Sequence, residues 1–269
     1  MGMTAQGSDK SGSADDAGPL HVHRYGPAGP PEVLALHGLT GHGRRWRHLA
    51  EQHLPGVAVA APDLIGHGRS TWSAPWTLDA NAAALAALLT EPVVVVGHSF
   101  GCAVALRLAA DSPDLVAALV LLDPAVALPG GWMREIADAM FASPDYTDAA
   151  EARTEKTSGS WADVEADLVD TEFAEHLVEL PNGRVGWRIS IPAMMSYWSE
   201  LARDIPLAPN DIPITLVRAG KTSPPYATPR LVEALRHRRD FRLVEMDCHH
   251  MVPLARPAET AELTRERLS

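Results

Sequence analysis

The five residues Gly97-His98-Ser99-Phe100-Gly101 stand directly between an apolar run, VVVV, and a helical pattern, CAVALRLAA. A serine hydroxyl is a poor nucleophile until a neighbouring base takes its proton. A sharp strand-to-helix turn can offer such a hydroxyl at strained backbone angles, and it needs glycines two positions to either side to avoid clashes. The letters G-x-S-x-G arise by accident in roughly one chain in ten of this length. The strand before and the helix after are what give them meaning. The required base is available in Cys248-His249-His250-Met251, which follows the strand pattern FRLVEMD and precedes a helix opening near Pro257. Both imidazoles would then lie in a loop at the carboxyl end of the last strand, the same sheet edge as Ser99. His21, His23, His53, His176 and His237 fall in tail, strand or helix patterns and are expected at the surface or in packing.

The elements that must position these residues follow a rhythm. Short β-rich runs (LHVHRY, EVLALHG, GVAVAAPD, PVVVVGHS, AALVLLD) alternate with Ala/Leu-rich or charged helical patterns. That alternation predicts an α/β fold with a mostly parallel central sheet and helices on both faces. A run such as PVVVVGH, apolar at every position, is what a central strand covered on both faces requires. From 129 to 206 the rhythm gives way to an acidic helical stretch carrying Trp132, Trp161, Trp187 and Trp198, and then resumes with IPITLVRAG. The expected organisation is a disordered tail over 1–18, a first core part over 19–128, an inserted helical cap over 129–206 and a second core part over 207–269. The insert holds 15 Asp/Glu against 6 Lys/Arg, so most of the chain's formal charge of -11 resides there.

Composition bounds the function. The 269 residues are 46% hydrophobic and 21% charged, proportions of one folded domain with an insert. The acidic balance supplies no cationic surface for nucleic acid or for an anionic membrane. Cys102 and Cys248 are too few for a disulfide framework and lack zinc-site spacing, so reduced thiols and a cytoplasmic location are expected. The N-terminal run shows no export signal, and no 18-residue apolar stretch occurs, so no membrane span is expected.

In these residues the chain resembles the α/β-hydrolase family, over about 31–128 and 212–265, and within it serine carboxylesterases and lipases of actinobacterial type. His37-Gly38-Leu39-Thr40-Gly41 looks like the family's oxyanion loop, Pro62 to Ser70 (PDLIGHGRS) like its next strand-end loop, and HHMVPLARPAE like its histidine loop. The resemblance implies that His250 is the base, His249 standing where a glycine is usual, and that the backbone N–H groups of Leu39 and Phe100 form the oxyanion hole. The pattern fails at one place. The loop after ITLVR, where members commonly keep the triad acid, reads Ala219 to Pro225 (AGKTSPP) and holds no carboxylate. Some members take the acid from the preceding strand end, which here is Asp123 in VLLDPAVAL, giving the order Ser99, Asp123, His250. Asp247 is a second candidate, and an Asp-Pro pair is also a good turn former.

A serine nucleophile disfavours the carboxylate-driven chemistries of this fold, haloalkane dehalogenation and epoxide hydrolysis. It fits hydrolysis of carboxylic esters through an acyl-enzyme, with no metal or other cofactor. A thioesterase, lactonase or C-C bond hydrolase with the same triad, and a non-catalytic binding protein, are the alternatives. The partner is then a small-molecule ester, and a neutral acyl chain of medium length suits an acidic cap. Trp132, Met133, Met140, Phe141, Met194, Met195, Tyr197 and Trp198 are candidates for an apolar acyl pocket, with lid packing as the competing role.

Overall fold

The computed structural model describes residues 18–204 and 207–269. The expected tail over 1–18 lies outside the described residues except for Gly18. Among the described residues a seven-stranded sheet forms the centre, in the order β1-β3-β2-β4-β5-β8-β9. Its strands are β1 (Val22–Tyr25), β2 (Val33–Leu36), β3 (Val59–Pro62), β4 (Val93–His98), β5 (Val116–Leu122), β8 (Ile214–Ala219) and β9 (Phe241–Met246). Only the edge strand β1 is antiparallel. All the other pairings are parallel. The expected mostly parallel sheet with flanking helices is therefore present.

The apolar run in β4 is explained by what covers it. Val93 and Val95 belong to one buried apolar cluster, and Val94 and Val96 to the other, on the opposite face of the sheet. Alternate side chains of a strand point to opposite faces, so a strand buried on both sides has no position for a polar residue. Helices α1 (Leu78–Ala86) and α2 (Phe100–Asp111) contribute to the first cluster, and α9 (Pro257–Leu268) to the second. The stretch RRWRHLAEQHL forms irregular helical turns instead of one α-helix, with a tight turn at Gly43–Trp46 and a wide one at Leu49–His53.

Between β5 and β8 lie helices α3 (Gly130–Ala142), α4 (Ala149–Thr157), α5 (Ala166–His176) and α6 (Ile191–Glu200). This segment also contains an antiparallel hairpin, β6 (Leu177–Glu179) with β7 (Val185–Trp187), which the helical expectation lacked. Its turn signal, Pro181-Asn182-Gly183, was present in the sequence, and Gly183 adopts φ +77° there. Helices α7 (Pro229–Leu235) and α8 (Val252–Ala255) complete the second part.

Parallel pairing brings strand ends together. Leu36 pairs with Gly97, His98 with Leu122, Leu122 with Val217, and Ala219 with Met246. The loops that carry Leu39, Ser99, Asp123 and His250 therefore open from one edge of the sheet, where α/β folds place their sites.

Candidate active site

Ser99 follows β4 and is the residue before α2, with φ +53° and ψ -114°. A side chain in this region of backbone space is strained, a cost of order 1–3 kcal/mol that the surroundings must sustain. Three hydrogen bonds do so: the Ser99 N–H donates to Leu122 O at 3.0 Å, and Ser99 O accepts the Cys102 N–H at 3.0 Å and the Ala125 N–H at 3.2 Å. The glycines are required by space. A Cβ on Gly97 would lie 2.8 Å from the Gly101 carbonyl carbon, and one on Gly101 would overlap the Leu36 carbonyl oxygen.

A serine preceding a helix usually caps it by accepting from an N–H of the first turn, which contributes about 1 kcal/mol. Ser99 makes no such bond. Its Oγ instead lies 2.9 Å from His250 Nε2, and His250 Nδ1 lies 2.6 Å from Asp123 Oδ2. A carboxylate can only accept, so Nδ1 carries the ring proton and Nε2 is left with a lone pair facing the serine hydroxyl. Asp123 is fully buried, with φ +44°. Its second oxygen, Oδ1, accepts the Ala219 N–H at 3.2 Å, and its own N–H donates to Val217 O at 2.8 Å. β8 thus holds the acid in place although its own following loop lacks one. Asp247, the other candidate acid, is 86% exposed and lies 3.8 Å from Lys221. His249, the other candidate base, is bonded elsewhere: its N–H and its Nδ1 both donate to Asp163 Oδ2 at 2.6 Å.

The loop His37–Gly41, expected to carry an oxyanion donor, is held by a buried histidine. His37 Nε2 accepts the Leu64 N–H at 3.0 Å, so its proton is on Nδ1, which donates to Gly38 O at 2.8 Å. Burial, reinforced by His67 nearby, holds the His37 ring well below the usual histidine range and keeps it neutral. Gly38 O also accepts the Gly41 N–H at 3.0 Å. In a planar trans peptide the N–H points opposite to the C=O, so anchoring Gly38 O aims the Leu39 N–H away from His37. A Cβ on Gly38 would lie 3.1 Å from Ser99 Cβ, which shows how closely this peptide passes the serine. Phe100 opens α2, so its N–H is one of the helix's first-turn donors without an intrahelical acceptor.

Residues that sequence reasoning missed complete the surroundings. His98 is buried and its Nε2 donates to the His250 carbonyl at 2.8 Å. Burial, with the His250 ring adding to it, holds His98 well below its ordinary pKa, so it too is neutral. Tyr226 stacks on the His250 ring, with centroids 4.1 Å apart and planes 28° apart, and Trp132 lies 4.9 Å beyond it. Tyr197, fully buried, lies 4.5 Å from Phe100. Its hydroxyl donates to Ile65 O and accepts from Asn81. Of the other apolar candidates, Met133 and Met194 are buried in the core, while Met133, Met195 and Trp198 also border a surface groove between α3 and α6. Met140 is half-buried against the core. Phe141 departs from the expectation of a pocket residue: it stands in the last turn of α3, 75% exposed.

His21, His23 and Asp63 bring possible metal-binding atoms within 4.8 Å of one another. Both Asp63 oxygens already accept backbone N–H groups, from Gly43 at 2.6 Å and Arg69 at 2.8 Å, which assigns the carboxylate to holding the loop.

This fold and this edge-of-sheet site are those of an α/β hydrolase, and the chain belongs to the alpha/beta hydrolase family, whose model matches residues 33–263. Among individual proteins, it is 62% identical over 255 residues to the protein named Lipase LipV of Mycobacterium tuberculosis, across 93% of this chain and 97% of that one. Solved structures share the fold: E-2-(acetamidomethylene)succinate hydrolase has a TM-score of 0.76 at 20% identity, covering 93% of this chain and 94% of its own. A marine microorganism esterase has a TM-score of 0.70 at 22% identity, covering 92% and 98%. The chain is an ester-cleaving hydrolase of the serine esterase and lipase kind. Its substrates are small-molecule esters, and no helix among the described residues is long and apolar enough to cross a membrane.

Proposed function

We propose that Ser99 is the nucleophile, His250 the general base and acid, and Asp123 the acid that orients it, with Leu39 and Phe100 supplying the oxyanion hole. The observation that carries this reading is the unbroken relay of 2.9 Å from Ser99 Oγ to His250 Nε2 and 2.6 Å from His250 Nδ1 to Asp123. His250 takes the Ser99 proton as Oγ attacks the ester carbonyl, and the tetrahedral oxyanion is met by the two backbone N–H groups. The imidazolium then gives its proton to the leaving alcohol oxygen, leaving an acyl-serine. A water molecule deprotonated by His250 attacks that acyl group, and the acid departs as Ser99 recovers its proton. Serine, imidazole, carboxylate and water suffice for every step, so the chemistry calls for no cofactor.

Residues 129–206 form a cap over this site, and the core parts are 19–128 and 207–269. Tyr226, stacked on His250, and Trp132 against it favour an apolar acyl group. The cap's net acidity disfavours anionic substrates, within the roughly 10 Å that salt allows. Neutral esters of medium acyl length are therefore the proposed substrates. Two buried free thiols, Cys102 and Cys248, support a cytoplasmic location. A panel of p-nitrophenyl esters tests the substrate reading. Turnover should peak at intermediate chain length and vanish in Ser99→Ala, whereas faster hydrolysis of polyanionic acyl-CoA thioesters than of these esters would overturn it.

A further inference from the structure

Glu172 and His176 lie one helical turn apart on α5, and both are buried against the oxyanion loop. Glu172 Oε2 accepts from Arg45 Nε at 2.7 Å, and its Oε1 lies 3.3 Å from His42 Nε2. Burial alone would push the Glu172 carboxyl up, but Arg45 and then His42 outweigh it and hold the group well below the usual carboxylate range. His176 Nε2 is 3.0 Å from Thr40 O. A carbonyl only accepts, so this nitrogen carries the proton, and burial first, with His42 and Arg45 adding to it, keeps the ring neutral. The same ring stacks on His42 at 4.4 Å and on Trp187 at 5.8 Å. Thr40, whose carbonyl it holds, adopts φ +62°, a strained conformation for a β-branched residue. Thr40 directly follows Leu39, the donor assigned to the oxyanion hole.

A second carboxylate just before α5 treats the histidine loop in the same manner. Asp163 accepts from the His249 N–H, from His249 Nδ1 and from Lys221 Nζ, the last at 2.9 Å. The Met251 N–H donates to Ser160 O at 3.1 Å. These bonds bracket His250 on both sides in sequence. One stretch of the cap, 160–176, therefore grips both loops that carry the reacting groups, at sequence separations of 127 residues for Arg45–Glu172 and 86 for Asp163–His249.

We propose that this stretch is a positioning element for catalysis, His176 and Glu172 setting the oxyanion loop and Asp163 the histidine loop, so that seating of the cap and competence of the site are one event. A cap that served only to enclose substrate would have no need of buried charge in the loop beneath it. Burying an ion pair is costly, and its geometric specificity is a better reason for it than stability. The inference rests on the assignment of Ser99, His250 and Leu39 made above.

The test compares transition-state binding with ground-state binding. His176→Phe keeps the flat ring for His42 and Trp187 but cannot donate to Thr40 O, and His176→Gln restores a donor. In folded protein, kcat of His176→Phe should fall about 10- to 100-fold with KM within twofold, because a misplacement near 1 Å costs on that scale. Affinity for an aryl trifluoromethyl ketone, which forms an oxyanion with Ser99, should weaken by the same factor. Affinity for the matching non-hydrolysable amide should not change, and the Gln variant should recover most of the loss. Asp163→Ala should lower kcat in the same pattern through the histidine loop. Glu172→Gln should follow if it folds, and His176→Phe decides the matter if it does not. Wild-type kcat in folded His176→Phe, or a loss shared equally by ketone and amide binding, would overturn the positioning role. Ser99→Ala separates the two levels: if it retains turnover the site assignment fails, and if it is inert while His176→Phe is normal, only this inference fails.

Discussion

Replacing Asp123 by Asn probes the relay at its most constrained point. The two Asp123 oxygens face two donors, Ala219 N–H at 3.2 Å and His250 Nδ1–H at 2.6 Å, inside a fully buried site. An amide has one acceptor and one donor end, so it cannot serve both. With its oxygen toward His250, its NH2 opposes the Ala219 N–H, leaving two buried donors face to face at about 1–3 kcal/mol each. With its oxygen toward Ala219, its NH2 faces His250 Nδ1, which must then become an acceptor. The ring proton moves to Nε2, where it meets the Ser99 hydroxyl and blocks proton removal. The second arrangement satisfies the backbone and is the one expected. In the protease used as the reference for such triads the same substitution costs about 10⁴ in kcat, and a loss of about three to four orders of magnitude is expected here. The assay is initial-rate hydrolysis of a p-nitrophenyl ester, with the thermal midpoint measured to show that the variant is folded. Turnover within tenfold of wild type in folded Asp123→Asn would refute the assignment of Asp123.

Three further outcomes follow from the same geometry. Stability should fall as pH drops from about 6.5 toward 4, because burial lowers the His67 pKa to about 4. The unfolded chain then binds the proton more readily, and the stabilisation, complete above 6.5, is lost as pH falls through the folded value. From 6.5 to about 4 that single group amounts to about 3 kcal/mol. Urea unfolding midpoints that do not change between pH 7 and 4.5 would contradict this. His98→Ala removes the donor to the His250 carbonyl and should lower kcat about tenfold or more with the protein folded, and an unchanged kcat would remove His98 from the account. Gly101→Ala forces a Cβ onto the Leu36 carbonyl and should cost about 3 kcal/mol or more, seen as a lowered denaturant midpoint or failure to fold; a wild-type midpoint would show that the elbow tolerates side chains there.

What the sequence revealed and what it concealed divide along a physical line. Covering of β4 on both faces was legible because burial on two sides removes the polar alternation, and Gly97-His98-Ser99-Phe100-Gly101 was legible because a tight turn restricts residue type at fixed short spacing. The order Ser99, Asp123, His250 came from motif comparison, and only three dimensions show that β8 supplies the Ala219 N–H that fixes Asp123. Tyr226 lies in a loop with no periodicity, yet it stacks on His250. Glu172 and Asp163 were hidden in the insert's acidic excess, since nothing local distinguishes a buried carboxylate from a solvated one. Their partners, Arg45 and His249, are 127 and 86 residues away. His98 was overlooked for a different reason: it stood inside the motif, where the serine and glycines account for the turn without it. The β6–β7 hairpin was readable from Pro181-Asn182-Gly183 but was masked by the helical character around it.

The most direct measurement is intact-protein and peptide mass spectrometry after exposure to an alkyl fluorophosphonate. One phosphonyl group should be found on Ser99, absent in Ser99→Ala and formed at least about a hundredfold more slowly in His250→Ala. A folded wild-type protein that takes up no label, or carries it on another residue, would contradict the proposed site.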